Sequence, residues 1–64
     1  MRYRIREIRK NLGMTQDELS EKSGISRATV WKLETGDEVT MTKTLLAIAK
    51  ALGVSVSELF VEDA

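Results

Sequence analysis

Cysteine, histidine and proline are absent from all 64 residues, and neither sign of charge is in excess, with ten cations against ten anions. Without cysteine there is no disulfide framework and no thiolate zinc site. Without histidine there is no side chain that ordinarily titrates near neutral pH. With no thiol nucleophile and no carboxylate cluster at metal-ligand spacing, neither catalysis nor a metal site is expected. No apolar run approaches the roughly 20 residues that cross a bilayer, so no membrane partner is expected. The N-terminal MRYRIREIRK lacks the apolar stretch of a signal peptide, which points to the cytoplasm. The chain has room for one small domain, taken as residues 1–64, and for no second domain that would sense a ligand. No cofactor or small-molecule ligand is therefore expected. At 42% hydrophobic and 31% charged the composition is that of a folded, soluble chain. A core this small depends on efficient packing or on a partner subunit, which favours self-association.

Glycine is also scarce, and its four positions punctuate the chain: Gly13, Gly24, Gly36 and Gly53. A glycine just past a helical pattern supplies the left-handed position that ends the helix. Met14, Ile25 and Val54, each directly after a glycine, suit the apolar contact that accompanies such a cap. Five helices are predicted. The first runs from about Arg2 to Leu12, with Ile5, Ile8 and Leu12 on one stripe. The second starts at Thr15, where Glu18 completes a capping box and Met14 and Leu19 form a hydrophobic staple; it ends near Ser23. The third repeats the device with Ser26 as cap and Ile25 and Val30 as staple, and continues through Leu33 to Thr35. The fourth, which carries Leu45, Leu46, Ile48, Ala49 and Leu52, begins at Thr40 or Thr42 and is the central core helix. Met14 and Met41 are expected in the core or at its edge. The fifth is short, capped by Ser55 or Ser57, and presents Val56, Leu59 and Phe60. No stretch alternates with period two for long enough to read as a strand.

The most informative unit is Thr15 to Thr35, two helices of about nine residues joined by a short turn around Gly24. A turn that short makes the helices cross steeply, as in a helix-turn-helix. On the third helix, at roughly 100° per residue, Val30 and Leu33 define the inward direction. Ala28, Trp31, Lys32 and Thr35 then lie on the far side, with Arg27 on the flank. That face can bind guanine through Arg27 or Lys32, touch a thymine methyl with Ala28, and lay Trp31 against sugar or base. Trp31 has an equal alternative, partly buried against the second helix or a neighbouring subunit. Gln16 sits in the first turn of the second helix, where unpaired N–H groups and the positive dipole end favour a phosphate. Arg9 and Glu34 each lie about 70° from the centre of their apolar stripes, where the first and third helices can meet.

The stretch GMTQDELSEKSGISRATVWKLETG, followed by TLLAIAKALGVSVSELF, resembles the Cro/C1-type (Xre) helix-turn-helix family of phage repressors and bacterial regulators. The resemblance extends from Arg4 to Phe60. It implies an all-α, five-helix lambda-repressor-like domain whose third helix enters the major groove of double-stranded DNA. By position Ser26, Arg27, Ala28 and Lys32 match the family's base-reading sites. Thr15 and Gln16, Trp31, and Thr35 with the N–H groups after Gly36 fall at backbone-contacting positions, and the resemblance implies that Gln16 both binds a phosphate and braces the recognition helix. Many members carry an ion pair where this chain has Arg9 and Glu34. The family's C-terminal region commonly forms a two-fold contact, so Val56 and Phe60 are candidates for a homodimer interface on a palindromic operator. Phe60 closing the core is the equal alternative.

The charge balance runs against this expectation, because DNA-binding proteins normally carry a basic excess. Its distribution accounts for part of the difference: residues 1–14 carry net +4, 15–24 net −2, 25–36 net +1 and 37–64 net −3. Asp37-Glu38 stands where family members often have lysine or arginine, which predicts weak non-specific binding. A DNA-binding regulator, most simply a repressor, is the leading expectation. The rival is a protein-interaction module of the same fold, such as an antitoxin, which the zero net charge favours.

Overall fold

In the computed structural model residues 2–36 and 39–61 are described. They form four α-helices, α1 (Ile5–Asn11), α2 (Gln16–Ser23), α3 (Arg27–Thr35) and α4 (Thr42–Leu52), followed by a single 3-10 turn, Val56–Leu59, where a fifth helix was expected. Asp37-Glu38 and the acidic Glu62-Asp63 lie outside the described residues.

Both stapled helix starts form as their spacing predicts. The Thr15 hydroxyl accepts from the Glu18 N–H at 3.1 Å, and the Glu18 carboxylate accepts from the Thr15 N–H at 3.1 Å. Ser26 Oγ accepts from the Thr29 N–H at 3.2 Å. Met14 and Ile25 pack against the core that contains Leu19 and Val30. Serines pin the turn between α2 and α3: Ser20 Oγ donates to the Ile25 carbonyl at 2.6 Å, and the Ile25 N–H donates to Ser23 Oγ at 3.2 Å. These local bonds set how α2 delivers the chain into α3.

Three glycines take the left-handed conformation, Gly13, Gly24 and Gly53 at φ +67°, +72° and +72°. They are the three followed by an apolar residue. At the end of α4, Val54 N–H reaches back to the Ala49 carbonyl (3.0 Å) and Gly53 N–H to Lys50 (3.2 Å), and the end of α1 repeats the pattern. Gly36 is extended, at φ −115° and ψ −174°, a conformation open to any residue. Its expected role as a left-handed cap is therefore corrected: the residue that follows it in the sequence is polar, unlike those after the other three glycines.

The first helix is shorter than predicted because Tyr3 is held in a β-bridge and Arg4, at φ −94° and ψ 21°, is the cap residue outside the helix. Tyr3 pairs with Phe60 in an antiparallel bridge, with Val61 N–H donating to the Arg2 carbonyl at 3.3 Å and Arg4 N–H to Leu59. This arrangement buries the Tyr3 ring 5.5 Å from that of Phe60, and its hydroxyl accepts from the Thr40 N–H at 3.3 Å. Neither threonine caps α4; the cap position is Met41, with no side-chain bond. Ser55 precedes the 3-10 turn, its N–H donating to Glu58 at 2.8 Å.

The core gathers Tyr3, Ile5, Leu19, Val30, Leu33, Leu45, Ile48, Ala49, Leu52 and Leu59. On α4 the residues at i, i+3, i+4 and i+7 from Leu45 face inward, which turns Leu46 outward, contrary to expectation. Leu12 is exposed because it follows the last helical residue, and Met41 is exposed at the cap of α4. No described helix is long and apolar enough to cross a membrane.

Gly53 has no atom near the place a Cβ would occupy, so a substitution there tests conformation alone. Left-handed strain of about 1–2 kcal/mol is offset by about 0.4–1 kcal/mol of lost unfolded-state entropy. Gly53→Ala is expected to lower stability by about 1 kcal/mol in urea unfolding, and Gly53→Asn by less than half as much. Equal losses would show that φ at this position is not what matters.

Candidate nucleic-acid interface

The interface is built from one helix with two unlike sides. Val30, Leu33 and Glu34 of α3 are buried, whereas Arg27, Ala28, Trp31, Lys32 and Thr35 are exposed along the opposite face. Trp31 is 56% exposed, so it is not packed beneath α2. The exposed face carries two cations, a methyl group and an indole, and none of these groups is needed to close the core.

Glu34 anchors the inner side. Its side chain is sealed from water, and its carboxylate accepts from Arg9 Nε at 2.7 Å, Arg9 Nη2 at 3.0 Å and Gln16 Nε2 at 3.1 Å. Arg9 Nη1 donates to the Met14 carbonyl at 2.7 Å. One carboxylate thus ties α1, the start of α2 and α3 together, and no buried side-chain polar atom is left unpaired among the described residues. Hydrogen bonding to Glu34 holds the Arg9 guanidinium above its already high pKa, against the opposing effect of burial. The pair therefore stays charged on the arginine side at any pH the fold experiences.

Gln16 was expected to bind a phosphate from the first turn of α2 and to brace α3. It is half-buried, its amide turned to Glu34 of α3. Because a carboxylate only accepts, the bond fixes which end of the amide is nitrogen, and Nε2 keeps a second hydrogen for an outside acceptor. Ser26 is exposed at the start of α3, but its hydroxyl already caps Thr29 and donates to Thr29 Oγ1 at 2.9 Å. The Thr35 hydroxyl donates to the Trp31 carbonyl at 2.8 Å. Either would have to rotate to donate to DNA. Thr15 lies exposed at the cap of α2. Away from this face, Val56 is half-buried against the core and Phe60 is 41% exposed.

One contact was missed in the sequence: Arg27 Nη1 lies 3.2 Å from Asp17 Oδ1. The two are ten residues apart, and no local spacing rule pairs them. Their approach depends on the crossing of α2 and α3.

A family model described as helix-turn-helix matches residues 5–59. The chain belongs to the Cro/C1-type helix-turn-helix family. It is 40% identical over 63 residues to an uncharacterised HTH-type transcriptional regulator of Archaeoglobus fulgidus, covering 98% of this chain and 90% of that one. A second such regulator, of Methanothermobacter thermautotrophicus, is 42% identical over 64 residues, covering 98% and 93%. Among solved structures, the restriction-modification controller protein C.AhdI from Aeromonas hydrophila superposes with a TM-score of 0.83 at 35% identity, covering 89% of this chain and 86% of that one. The Cro/C1-type family is one of DNA-binding transcriptional regulators, not a class of enzymes. Within this Cro/C1-type chain, α2 and α3 are consecutive helices joined by the short turn at Gly24.

Removing one partner of a buried ion pair costs about 3–5 kcal/mol, whereas replacing both by apolar groups can be neutral. Arg9→Met and Glu34→Leu are each expected to destabilise by that amount in urea unfolding. The double variant is expected to recover most of the loss, a coupling above about 2 kcal/mol. Additive losses would mean that the pair does not act as a unit.

Proposed function

We propose that this protein is a sequence-specific double-stranded DNA-binding regulator, a repressor that acts in the cytoplasm as one lambda-repressor-like domain. It reads its site by placing α3 in the major groove. The observation that carries this reading is the exposed face of α3, whose Arg27, Ala28, Trp31 and Lys32 are free of any packing role while the opposite face is fully buried. Arg27 and Lys32 supply donors for guanine, Ala28 a methyl contact, and Ser26 a hydroxyl at the groove edge. Thr15, Gln16, Trp31 and Thr35 contact the backbone. Gln16 does so with its second amide hydrogen, braced by Glu34 from behind, and a phosphate there also meets the positive end of α2.

In this reading two copies bind a palindromic operator, with Val56 and Phe60 at the two-fold contact. The exposure of Phe60 and Val61 beside the bridge to Tyr3 supports such a patch. Two recognition helices related by a dyad lie about 34 Å apart, one turn of B-DNA. A protein-interaction module of the same fold is the second reading, favoured by the zero net charge.

Selection of bound sites from random DNA at low salt separates the two readings. The regulator is expected to enrich inverted half-sites about 10 base pairs apart, and the interaction module would enrich no motif. Against the selected site, Arg27→Ala is expected to cost about 1–3 kcal/mol and to relax preference at one base pair. Gln16→Ala is expected to weaken all sequences alike. Uniform losses for both variants would remove Arg27 from base reading.

A further inference from the structure

The Arg27 guanidinium meets a carboxylate before any DNA is present. Asp17 Oδ1 lies 3.2 Å from Arg27 Nη1, although both side chains are largely exposed, at 71% and 67%. Asp17 is the second residue of α2, in the first turn, where the positive end of the helix favours an anion. Arg27 is the first residue of α3. The contact therefore spans the two helices of the motif at the ends the proposed function turns toward DNA. Lys32, the other cation on that face, has no ion-pair partner among the described residues.

We infer that Asp17 is a specificity-determining residue that holds the Arg27 guanidinium in one orientation and so sharpens the choice of the base pair Arg27 reads. The inference rests on the reading of α3 as the DNA-contacting helix. An exposed arginine has several rotatable bonds, and fixing them on docking costs free energy for right and wrong bases alike. A partner that fixes them beforehand removes that cost only for the geometry it enforces, and displaced alternatives that would suit another base become less accessible. The chemistry leaves room for both tasks. The 3.2 Å contact is an ion pair without hydrogen-bond geometry, so all five guanidinium hydrogens stay available. The planar fork can still present two parallel N–H groups to guanine O6 and N7. The Asp17 charge also repels phosphates whatever the sequence, which lowers binding to unrelated DNA. Both effects act in the same direction, toward selectivity and away from general affinity, and they suit a chain without basic excess.

The test uses the full chain and its variants Asp17→Ala, Asp17→Asn, Arg27→Ala and the double variant Asp17→Ala/Arg27→Ala. Each is taken through selection from random DNA. Each is then titrated with the best wild-type site and with the same site altered at the base pair that Arg27→Ala ceases to discriminate. Asp17→Ala is expected to reduce discrimination at that base pair by about two- to fivefold, the range an exposed ion pair can supply. Its binding to unrelated DNA should be no weaker than wild type. Asp17→Asn, which removes the charge at nearly constant size, should lose as much as Asp17→Ala. At sites altered at base pairs that Arg27→Ala still discriminates, Asp17→Ala should leave discrimination unchanged, alone or together with Arg27→Ala. Wild-type discrimination by Asp17→Ala at that base pair, or an equal loss at base pairs that Arg27→Ala still discriminates, overturns the inference while leaving the DNA-reading of α3 intact. Failure of the wild type itself to enrich any motif removes that reading and the inference with it.

Discussion

Burying a carboxylate is expensive unless hydrogen-bond donors replace the water it loses, and Glu34 meets that demand with three N–H groups drawn from two other helices. The consequence is geometric more than energetic. Desolvation offsets much of the attraction, but the bidentate guanidinium and the amide can satisfy the carboxylate in one arrangement of α1, α2 and α3 only. Arg9 adds the Met14 carbonyl, which belongs to the turn leading into α2. The axis of α3 is thereby fixed against the two helices behind it. In the proposed reading, a helix that meets base edges to within about half an ångström gains from such a brace, since a recognition face is no better placed than what supports it.

Much of the fold is legible in the sequence because the signals that start and stop these helices are local. Thr15 with Glu18, and Ser26 with Thr29, complete their caps within four residues, and no distant atom takes part. The same holds for Gly13, Gly24 and Gly53, whose following apolar residue distinguishes a left-handed cap from an ordinary turn. Gly36 lacks that neighbour and is extended. What could not be read depends on chain segments far apart. Tyr3 stays outside α1 because Phe60, 57 residues later, offers it an edge to pair with, and nothing in MRYRIREIRK announces it. Leu46 looked internal because composition alone does not tell one side of an apolar helix from the other.

The candidate site divides in the same way. The outward face of α3 follows from the periodicity of Val30 and Leu33, and the meeting of Arg9 with Glu34 from the angles of both helices. The bond from Gln16 to Glu34 and the contact of Asp17 with Arg27 required the crossing angle of the helices, which no spacing rule supplies. These two contacts also change the chemistry of the site. Gln16 is held from behind and not free to swing, and the arginine best placed for guanine already has an anionic neighbour. Under the proposed reading, the anion beside Arg27 favours selectivity over general attraction to phosphate.

The sequence contains a single tryptophan, and it stands on the face in question. Acrylamide quenching of Trp31 fluorescence, with and without a saturating duplex that carries the selected site, therefore reports directly on whether the outer side of α3 meets DNA. The account predicts that the duplex shields the indole, so that the quenching constant falls well below that of the free protein. An unchanged constant, with the duplex shown to be bound by an independent label, would place the DNA on some other surface and contradict the account.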